Sequence, residues 1–285
     1  MKFLAFCISA ATTISALTIP ADLGKRIVGG FDMPDNGAPF AVKIAISVGD
    51  VTFSCGGSIL SKNHIVTAAH CMTDDNDKPY AASQVTLGYG SDNIKLQTQT
   101  NASNIVVHPQ YNTKTANNVN ENDIAIIVVP DMKMDKNTQA ISIYNGQITA
   151  GYKVVALGWG ATVSNNDPNS MPSELKGAVL QVGDKEGCML FDSNYQSSDG
   201  PKICTLNKYS PGNSTCKGDS GTGVVIQAQN GYYLAGLDSQ GGRFQDATCG
   251  TSDGYTLFTH VNAHLDFIVQ STGLTQVYLA RTYAT

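Results

Sequence analysis

The sequence predicts an all-β protein, a barrel or a sandwich, because short strand-like runs rich in Val and Ile recur along most of its 285 residues. Turn signals such as Asn36-Gly37 and Asn145-Gly146 separate these runs. Evenly spaced short strands favour such a fold over alternating β-α-β units. The predicted strands are Ala41–Val48, Ser58–Thr67, Ile105–Val107, Ile124–Val129, Lys153–Leu157, Gly223–Gln227 and Tyr232–Leu237.

A single helix is predicted, at residues 262–270 near the C-terminal end. Asn262 is expected to cap its first turn, and Leu265, Ile268 and Val269 share one face. The remaining chain is predicted to be strands, turns and loops, with no internal repeat.

Composition indicates a globular chain, with 42% hydrophobic and 14% charged residues, long enough for one large domain or two small ones. The formal net charge is −5, and no run of Lys and Arg occurs. This charge pattern argues against nucleic acid or an anionic membrane as the main partner. No stretch reaches the roughly 18 apolar residues of a membrane-spanning helix. We therefore expect neither a nucleic-acid nor a membrane partner.

Residues 1–16 are predicted to be an export signal. Lys2 precedes a short apolar run, and small residues follow up to Ser15-Ala16, where cleavage is expected. A buried first helix is the alternative, which the shortness and terminal position of the run disfavour. We therefore expect a secreted, extracellular protein.

In this expected extracellular compartment, cysteines are predicted to form disulfides. Cys7 would leave with the export signal, so that six of the seven cysteines remain. An even number in an oxidising compartment predicts three disulfides, for which the count alone allows 15 pairings. The six are Cys55, Cys71, Cys188, Cys204, Cys216 and Cys249.

A candidate nucleophile lies in residues 216–221, which read Cys-Lys-Gly-Asp-Ser-Gly. Glycines around an Asp-Ser pair allow a tight turn that exposes the Ser220 hydroxyl and leaves backbone N–H groups to face an oxyanion. An ordinary glycine-rich turn is the alternative. The choice depends on whether a general base and its orienting carboxylate occur elsewhere.

Candidates for both roles precede Ser220 in the chain. His70 follows a predicted strand in the run Ile-Val-Thr-Ala-Ala-His-Cys. Asp123 stands at the start of the apolar strand predicted at Ile124–Val129, where a carboxylate can be partly buried. Each has a structural alternative, His70 as a packed core imidazole and Asp123 as a strand cap. The order His, Asp, Ser is nevertheless that of a hydrolytic triad.

Together these segments resemble the trypsin/chymotrypsin family of serine endopeptidases, over nearly all of residues 27–271. The resemblance implies two packed six-stranded antiparallel β-barrels with the active site in the cleft between them. The barrels would span about 27–137 and 138–261, followed by a C-terminal helix at about 262–271 and a tail, 272–285, without assigned function. The matching motifs are Ile-Val-Gly-Gly at 27–30, Cys-Gly-Gly-Ser at 55–58, Thr-Ala-Ala-His-Cys at 67–71, Asn-Asp-Ile-Ala at 122–125, Gly-Trp-Gly at 158–160, Ile-Cys at 203–204 and Cys-Lys-Gly-Asp-Ser-Gly at 216–221.

The resemblance also implies a role for each site residue. His70, Asp123 and Ser220 would be catalytic, and the backbone N–H groups of Gly218 and Ser220 would form the oxyanion hole. Ser239 would bond to the triad Asp, and the backbone from Ser239 to Gly241 would pair with an extended substrate. No cofactor and no metal are expected. The implied disulfides are Cys55–Cys71, Cys188–Cys204 and Cys216–Cys249.

Activation by cleavage is implied as well, with residues 17–26 as a propeptide. Lys25-Arg26 precedes Ile27, so that a cut after Arg26 would free an α-amino group that pairs with Asp219. A chance dibasic pair in a loop is the alternative. The expected partners are protein or peptide substrates, an activating protease and protein protease inhibitors, and the protein is expected to be a monomer.

The residues that would determine substrate preference point in different directions. Ser214 stands where trypsins carry a pocket-floor Asp, so that chymotrypsin-like or broad preference is expected. Thr256 stands where a Gly is usual and Gln240 where a Trp is usual. Asp238 is the alternative determinant, since a carboxylate that faces the pocket would bind basic side chains, whereas one that faces the rim or Arg243 would not. The implied substrate-binding residues are Ser214, Thr215, Lys217, Asp238, Ser239, Gln240, Gly241 and Thr256.

Other kinds of site fit less well. An α/β-hydrolase elbow needs a Gly where Thr222 stands. His260 and His264 have the spacing of a zinc pair but lack the accompanying Glu, and structural histidines are favoured. An acidic run at 74–77 suggests calcium, but a solvated loop is the simpler interpretation.

One alternative concerns the function of the whole protein. A non-catalytic protease-like binding or inhibitor protein would use the fold for recognition alone, although such proteins usually lack a triad residue. Asn101 and Asn213 begin candidate glycosylation sequons of a secreted glycoprotein.

Overall fold

The computed structural model of the chain describes residues 29–113, 115, 118–163, 170–229, 231–243 and 248–280. The predicted export signal and propeptide lie outside the described residues, together with Arg26 and Ile27. Within the described ranges, no helix is long and apolar enough to cross a membrane.

The first sheet contains seven strands, all paired antiparallel, in the order β6-β5-β2-β3-β4-β8-β7. Between the strands at the two ends of this order, Ala102 donates its backbone N–H to the Val85 carbonyl and Ser103 to the Val128 carbonyl. The chain thus crosses from one edge of the sheet to the other and curls it into a barrel. The strands are β2 Ala41–Val48, β3 Val51–Ser61, β4 His64–Thr67, β5 Val85–Tyr89, β6 Thr98–Asn101, β7 Asn104–Val107 and β8 Ala125–Val128.

The second sheet contains eight strands in the order β1-β11-β10-β13-β14-β15-β12, with β9 paired in parallel to β14. Immediately after β11, Val182 forms a bridge with Thr205 of β12, so the edges of this sheet also meet. The strands are β1 Phe31–Asp32, β9 Ser142–Ile143, β10 Lys153–Gly158, β11 Lys176–Gln181, β12 Lys202–Leu206, β13 Gly223–Ala228, β14 Gly231–Gly242 and β15 Tyr255–His260.

These two antiparallel sheets confirm the predicted all-β class. Six strands of the second sheet, β10 to β15, are longer than two residues, and two-residue strands bring its total to eight. The strand predicted at Ser58–Thr67 is wrong as a single element, because a tight turn at Lys62-Asn63 divides it into β3 and β4. That turn carries neither Gly nor Pro, the residues by which the sequence would have marked it.

Alternating side chains build the core of each barrel. On β2, Val42, Ile44 and Ile46 point inward and are fully buried or nearly so. Burial of side chains of this size contributes about 1.5–3 kcal/mol each. The main buried cluster continues into the second sheet through residues such as Leu157 and Trp159, so the two barrels pack face to face.

The described chain includes three α-helices, α1 Lys185–Met189, α2 Leu265–Thr272 and α3 Gln276–Leu279. The predicted C-terminal helix is present as a 3₁₀ turn, Asn262–His264, that continues into α2. The predicted Asn262 cap is wrong, because Asn262 lies inside this turn after Val261 and caps nothing. Helices α1 and α3, of five and four residues, are too short to produce a periodic pattern in the sequence.

Three disulfides are present, and their pairings match those that the resemblance implies: Cys55–Cys71, Cys188–Cys204 and Cys216–Cys249. The first joins β3 to the 3₁₀ turn that carries His70, and the third anchors the loop that carries Ser220. Disulfides of this kind typically contribute about 2–4 kcal/mol by restricting the unfolded chain.

Candidate active site

His70 and Asp123 meet because of strand pairing. His70 follows β4 in a one-turn 3₁₀ helix, Ala69–Cys71, and Asp123 precedes β8. Since β4 and β8 run antiparallel with Thr67 opposite Ala125, the end of one strand lies beside the start of the other. Residues that are 53 positions apart in the chain therefore share one site.

Asp123 is held by four hydrogen bonds. One carboxylate oxygen, Oδ2, lies 2.7 Å from His70 Nδ1 and accepts from the Ser239 hydroxyl at 2.5 Å and from Asn120 Nδ2 at 3.3 Å. The other, Oδ1, accepts from the His70 backbone N–H at 2.8 Å. The carboxylate therefore orients the imidazole and favours the tautomer in which Nδ1 carries the proton.

Charge stabilisation accompanies this geometry. Burial raises the pKa of Asp123, but the His70 charge and the hydrogen bonds from His70 and Ser239 outweigh it and leave the pKa below its usual range. Burial lowers the pKa of His70, whereas the charge and hydrogen bond of Asp123 raise it, and the net shift is upward. Asp123 is thus ionised at neutral pH, and its charge stabilises an imidazolium at His70.

Ser220 is placed opposite this pair by a turn that only glycine permits. Gly221 has φ +73°, and a Cβ atom there would lie 2.3 Å from the Thr67 hydroxyl and 2.7 Å from the Gly56 carbonyl. The Gly56 N–H donates to the Ser220 carbonyl at 2.8 Å. The turn is therefore pressed against the strand ends that carry His70.

His70 and Ser220 line one cavity of about 560 Å³. The His70 side chain is 24% exposed, and its Nε2 lies 3.7 Å from the Cys71 sulfur. Among the hydrogen bonds of the described residues, none joins Ser220 to His70. Catalytic hydrogen bonds often tighten only when substrate binds, so proton transfer from Ser220 to His70 does not require this bond in the free protein.

Asp219, next to the candidate nucleophile, is fully buried. Its carboxylate accepts from the backbone N–H groups of Gly160 at 2.7 Å and Cys216 at 2.8 Å. Gly158 leaves room for it, because a Cβ atom there would lie 1.8 Å from Asp219 Oδ1. Burial raises the pKa of Asp219 to about 7, although these hydrogen bonds and the charge of Lys43 lower it.

Lys43 is a participant that sequence reasoning missed. Its ammonium is buried without a hydrogen-bond partner among the described residues, 5.9 Å from the centre of the Trp159 ring. Burial lowers the pKa of Lys43 to about 8, and the charge of Asp219 opposes that shift. Lys43 lies between the inward-pointing Val42 and Ile44 on β2, and its side chain reaches Trp159 and Asp219, which belong to the second half of the chain.

A second cavity, of about 250 Å³, adjoins Ser220. Ser214 and Thr256 are not among its lining residues. Ser214 is buried and donates its hydroxyl to the Thr215 carbonyl at 2.8 Å, and Thr256 is buried with its hydroxyl 3.3 Å from that of Thr215. The lining consists of Thr215, Cys216, Lys217, Ser220, Asp238, Ser239, Gln240, Gly241 and Cys249.

Gln240 bridges the edge of this cavity to the loop before Asp123. Its Oε1 accepts from the Asn120 backbone N–H at 3.3 Å, and its Nε2 donates to the Asn118 carbonyl at 3.1 Å. Asn120 is a second residue that sequence reasoning missed, since its only signal was membership of an Asn-rich loop. Arg243, the proposed alternative partner of Asp238, forms an ion pair with Asp253 at 3.4 Å.

The residues considered above as zinc or calcium ligands have other partners in the structure. His260 Nδ1 lies 2.7 Å from the Gly200 carbonyl, and His264 Nδ1 lies 2.9 Å from the His260 carbonyl, as expected for packed structural imidazoles. Asp74 accepts hydrogen bonds from the backbone of its own loop at Asn76 and Lys78. Across the described ranges, the one cluster of three side chains with metal-ligand proximity is Cys55, His70 and Cys71, whose sulfurs are bonded to each other.

Comparison with known proteins agrees with this architecture. The trypsin family model matches residues 27–268. Serine protease 1 of Drosophila melanogaster is 31% identical over 261 residues, which cover 89% of this chain and 88% of that protein. Trypsin Tyr p 3.0101 of Tyrophagus putrescentiae is 28% identical over 277 residues (94% and 89%), and Sus scrofa trypsin is 28% identical over 227 residues (78% and 87%). The chain therefore belongs to the trypsin family and is a serine endopeptidase.

Proposed function

We propose that this endopeptidase is secreted as a precursor and cleaves peptide bonds with a Ser220–His70–Asp123 triad through an acyl-enzyme. The observation that carries the proposal is the His70–Asp123 pair, 2.7 Å apart and further bonded to Ser239, whose imidazole lines the same cavity as Ser220. Export by residues 1–16 is supported by the three disulfides, which are typical of oxidising compartments.

The chemistry follows from the residue types. The Ser220 hydroxyl attacks the scissile carbonyl while His70 Nε2 accepts its proton, because an alcohol is a weak nucleophile at neutral pH. His70 then donates that proton to the leaving amine, and Asp123 stabilises the imidazolium throughout. The backbone N–H groups of Gly218 and Ser220 bind the oxyanion, a contribution of about 3–4 kcal/mol per donor. Water releases the acyl group by the same steps.

Activation by cleavage after Arg26 is the second part of the proposal. Burial raises the pKa of Asp219 to about 7, so its negative charge is under-stabilised by its present neighbours. A new α-ammonium at Ile27 would supply the missing cation and order the adjoining Gly218–Ser220 turn. Residues 17–26 then act as a propeptide that an activating protease removes.

For substrates, the proposal comprises protein or peptide chains, with protein protease inhibitors as further partners of a monomeric enzyme. Ser214 favours aromatic or large apolar side chains, or a broad preference, in the residue before the scissile bond. Asp238 favours basic side chains instead, because it lines the cavity beside Ser220. The two preferences make opposite demands on one pocket.

Labelling of Ser220 by an organophosphonate tests the triad directly. The precursor is cleaved to expose Ile27, and the adduct is located by mass spectrometry. We expect one adduct per chain on Ser220, none in Ser220→Ala, and unchanged labelling in Ser47→Ala, a matched exposed serine. A correctly cleaved, folded protein that takes up no label is a non-catalytic binding protein, and the proposal fails.

A further inference from the structure

Asp238 is a buried acid without a matching cation. It lies on β14 beside a register shift of the β14–β15 pairing, is 6% exposed, and lines the 250 Å³ cavity together with Ser220. Its carboxyl is hydrogen-bonded to the Thr215 side chain. In the described part of the chain, no ion pair joins Asp238 to Lys or Arg. Lys217 lines the same cavity but is exposed.

The surroundings of Asp238 penalise its negative charge. Asp219, on the loop before β13, and Asp123, before β8, both repel it, whereas only His70 attracts it. Burial is the largest effect and, together with these charges, raises the pKa of Asp238 to about 8. An incoming cation in the cavity would relieve this penalty, because an isolated buried carboxylate is costly and a paired one much less so.

We infer that Asp238 determines specificity by binding the ammonium or guanidinium group of a Lys or Arg side chain in the residue before the scissile bond. The inference deepens the proposed function, on which it rests for the identity of Ser220 as nucleophile. The selecting charge thus comes from the cavity wall on β14, whereas Ser214 turns its hydroxyl toward the Thr215 carbonyl and supplies no charge to the cavity.

The preference for a cationic side chain is expected to depend on pH, because the acid that binds it is buried. At pH 7 most of Asp238 is protonated in the free enzyme, so that binding of a cation must expel its proton. Preference for a cationic over a neutral side chain should therefore rise as pH increases through about 8. His70 must be neutral to act as a base on either substrate, so its titration enters their ratio only through its charge interaction with Asp238.

The first experiment measures that ratio. Residues 22–26 are replaced by the recognition sequence of an immobilised site-specific protease, which releases Ile27 and is then removed. Peptide substrates carry either Lys or its uncharged counterpart norleucine before the scissile bond. We expect kcat/KM for Lys to exceed that for norleucine by about 10- to 100-fold, as for a charged hydrogen bond. Asp238→Asn should abolish this preference, whereas Asp253→Asn, a matched loss of an exposed acid, should preserve it.

A second experiment needs no turnover. Cleaved Ser220→Ala protein is titrated calorimetrically at pH 7 with benzamidine, in buffers of different ionisation enthalpy, and with neutral benzamide. We expect benzamidine to bind at one site with net proton release, and benzamide to bind at least tenfold more weakly. This measurement uses native Asp238, so it stands even if Asp238→Asn fails to fold.

The outcomes separate the two levels of inference. Ser220 labelling together with a preference for norleucine or Phe over Lys overturns the role of Asp238 and leaves the triad intact. Benzamidine binding with proton release in a protein that never labels supports the role of Asp238 and overturns the triad. Benzamide binding as tightly as benzamidine, or an equal effect of Asp253→Asn, assigns selectivity to general charge and overturns the inference.

Discussion

The Ser239 hydroxyl donates a 2.5 Å hydrogen bond to Oδ2 of Asp123, the same oxygen that lies 2.7 Å from His70 Nδ1. Ser239 sits at the register shift of β14, where the bulge turns its side chain toward the first barrel. One strand thus supplies both a hydrogen bond to the carboxylate of the proposed triad and, one residue earlier, the acid of the adjoining cavity.

Ser239→Ala is expected to lower kcat/KM by about tenfold. The lost hydrogen bond to a charged group is worth about 1.5 kcal/mol, since Asp123 keeps its bonds to His70. Steady-state kinetics of the cleaved enzyme measures the effect. Thr259→Val is the matched control, because its hydroxyl donates to the Asp123 backbone carbonyl at 2.8 Å and not to the carboxylate. Equal losses of activity in the two variants would contradict a specific role for Ser239.

The pKa of His70 is expected to lie above 6.5 in the free enzyme and to fall below that value in Asp123→Asn. Burial lowers this pKa, and in the wild type the charge and hydrogen bond of Asp123 outweigh burial. Once they are gone, only the smaller effect of the Asp238 charge opposes burial. Titration of the labelled imidazole carbon by NMR in the Ser220→Ala background measures both values. A raised pKa that survives Asp123→Asn would mean that another group holds the proton.

The sequence indicated those candidate site residues that stand in short local motifs. His70, Asp123 and Ser220 each stand in a short run whose residue types are tied to strand ends and tight turns. Lys43 and Asn120 could not be found in this way, because their roles arise from contacts between segments that are distant in the chain. Lys43 lies on a strand whose bounds were predicted, but no local pattern shows that its ammonium lies near Trp159 and Asp219.

The strands that the sequence predicted are those with a local run of alternating apolar residues. Ala41–Val48 has the predicted bounds, since its apolar residues alternate cleanly with small or polar ones. Strands β6 and β12 were missed because their residues, Thr98–Asn101 and Lys202–Leu206, do not form a long Val- and Ile-rich run. Their stability comes from pairing with neighbouring strands, which a local pattern does not express.

The uncleaved precursor is expected to lose stability as pH rises from about 4 to about 7, through the titration of Asp219. Its folded pKa, about 7, exceeds the unfolded value, 3.8, so its contribution is full below pH 3.8 and lost above 7. The loss amounts to a few kcal/mol at about 1.4 kcal/mol per pKa unit. Chemical denaturation of the precursor and of Asp219→Asn at several pH values isolates this term.

Asp131→Asn is the control for that experiment, because Asp131 is an exposed acid in a surface pair with Lys62. Its removal should leave the pH dependence of the precursor unchanged. Cleavage after Arg26 should reverse the Asp219 effect, since an α-ammonium at Ile27 would lower the pKa of Asp219. A precursor and a cleaved enzyme with the same pH dependence would argue against that ion pair.

Acid destabilisation is expected from three histidines beside the C-terminal helix. His108 and His264 have ring centres 5.7 Å apart, and His264 Nδ1 lies 2.9 Å from the His260 carbonyl. Burial lowers the pKa of all three, so the neutral forms stabilise the fold above pH 6.5, and this contribution is lost as pH falls through the folded values. Thermal unfolding at pH 7.5 and 5.0 measures the loss, at about 2–4 °C per kcal/mol for a chain of this size. His264→Gln keeps a donor for the His260 carbonyl but cannot titrate, so it should narrow the difference between the two midpoints. An unchanged difference would assign the acid sensitivity to other groups.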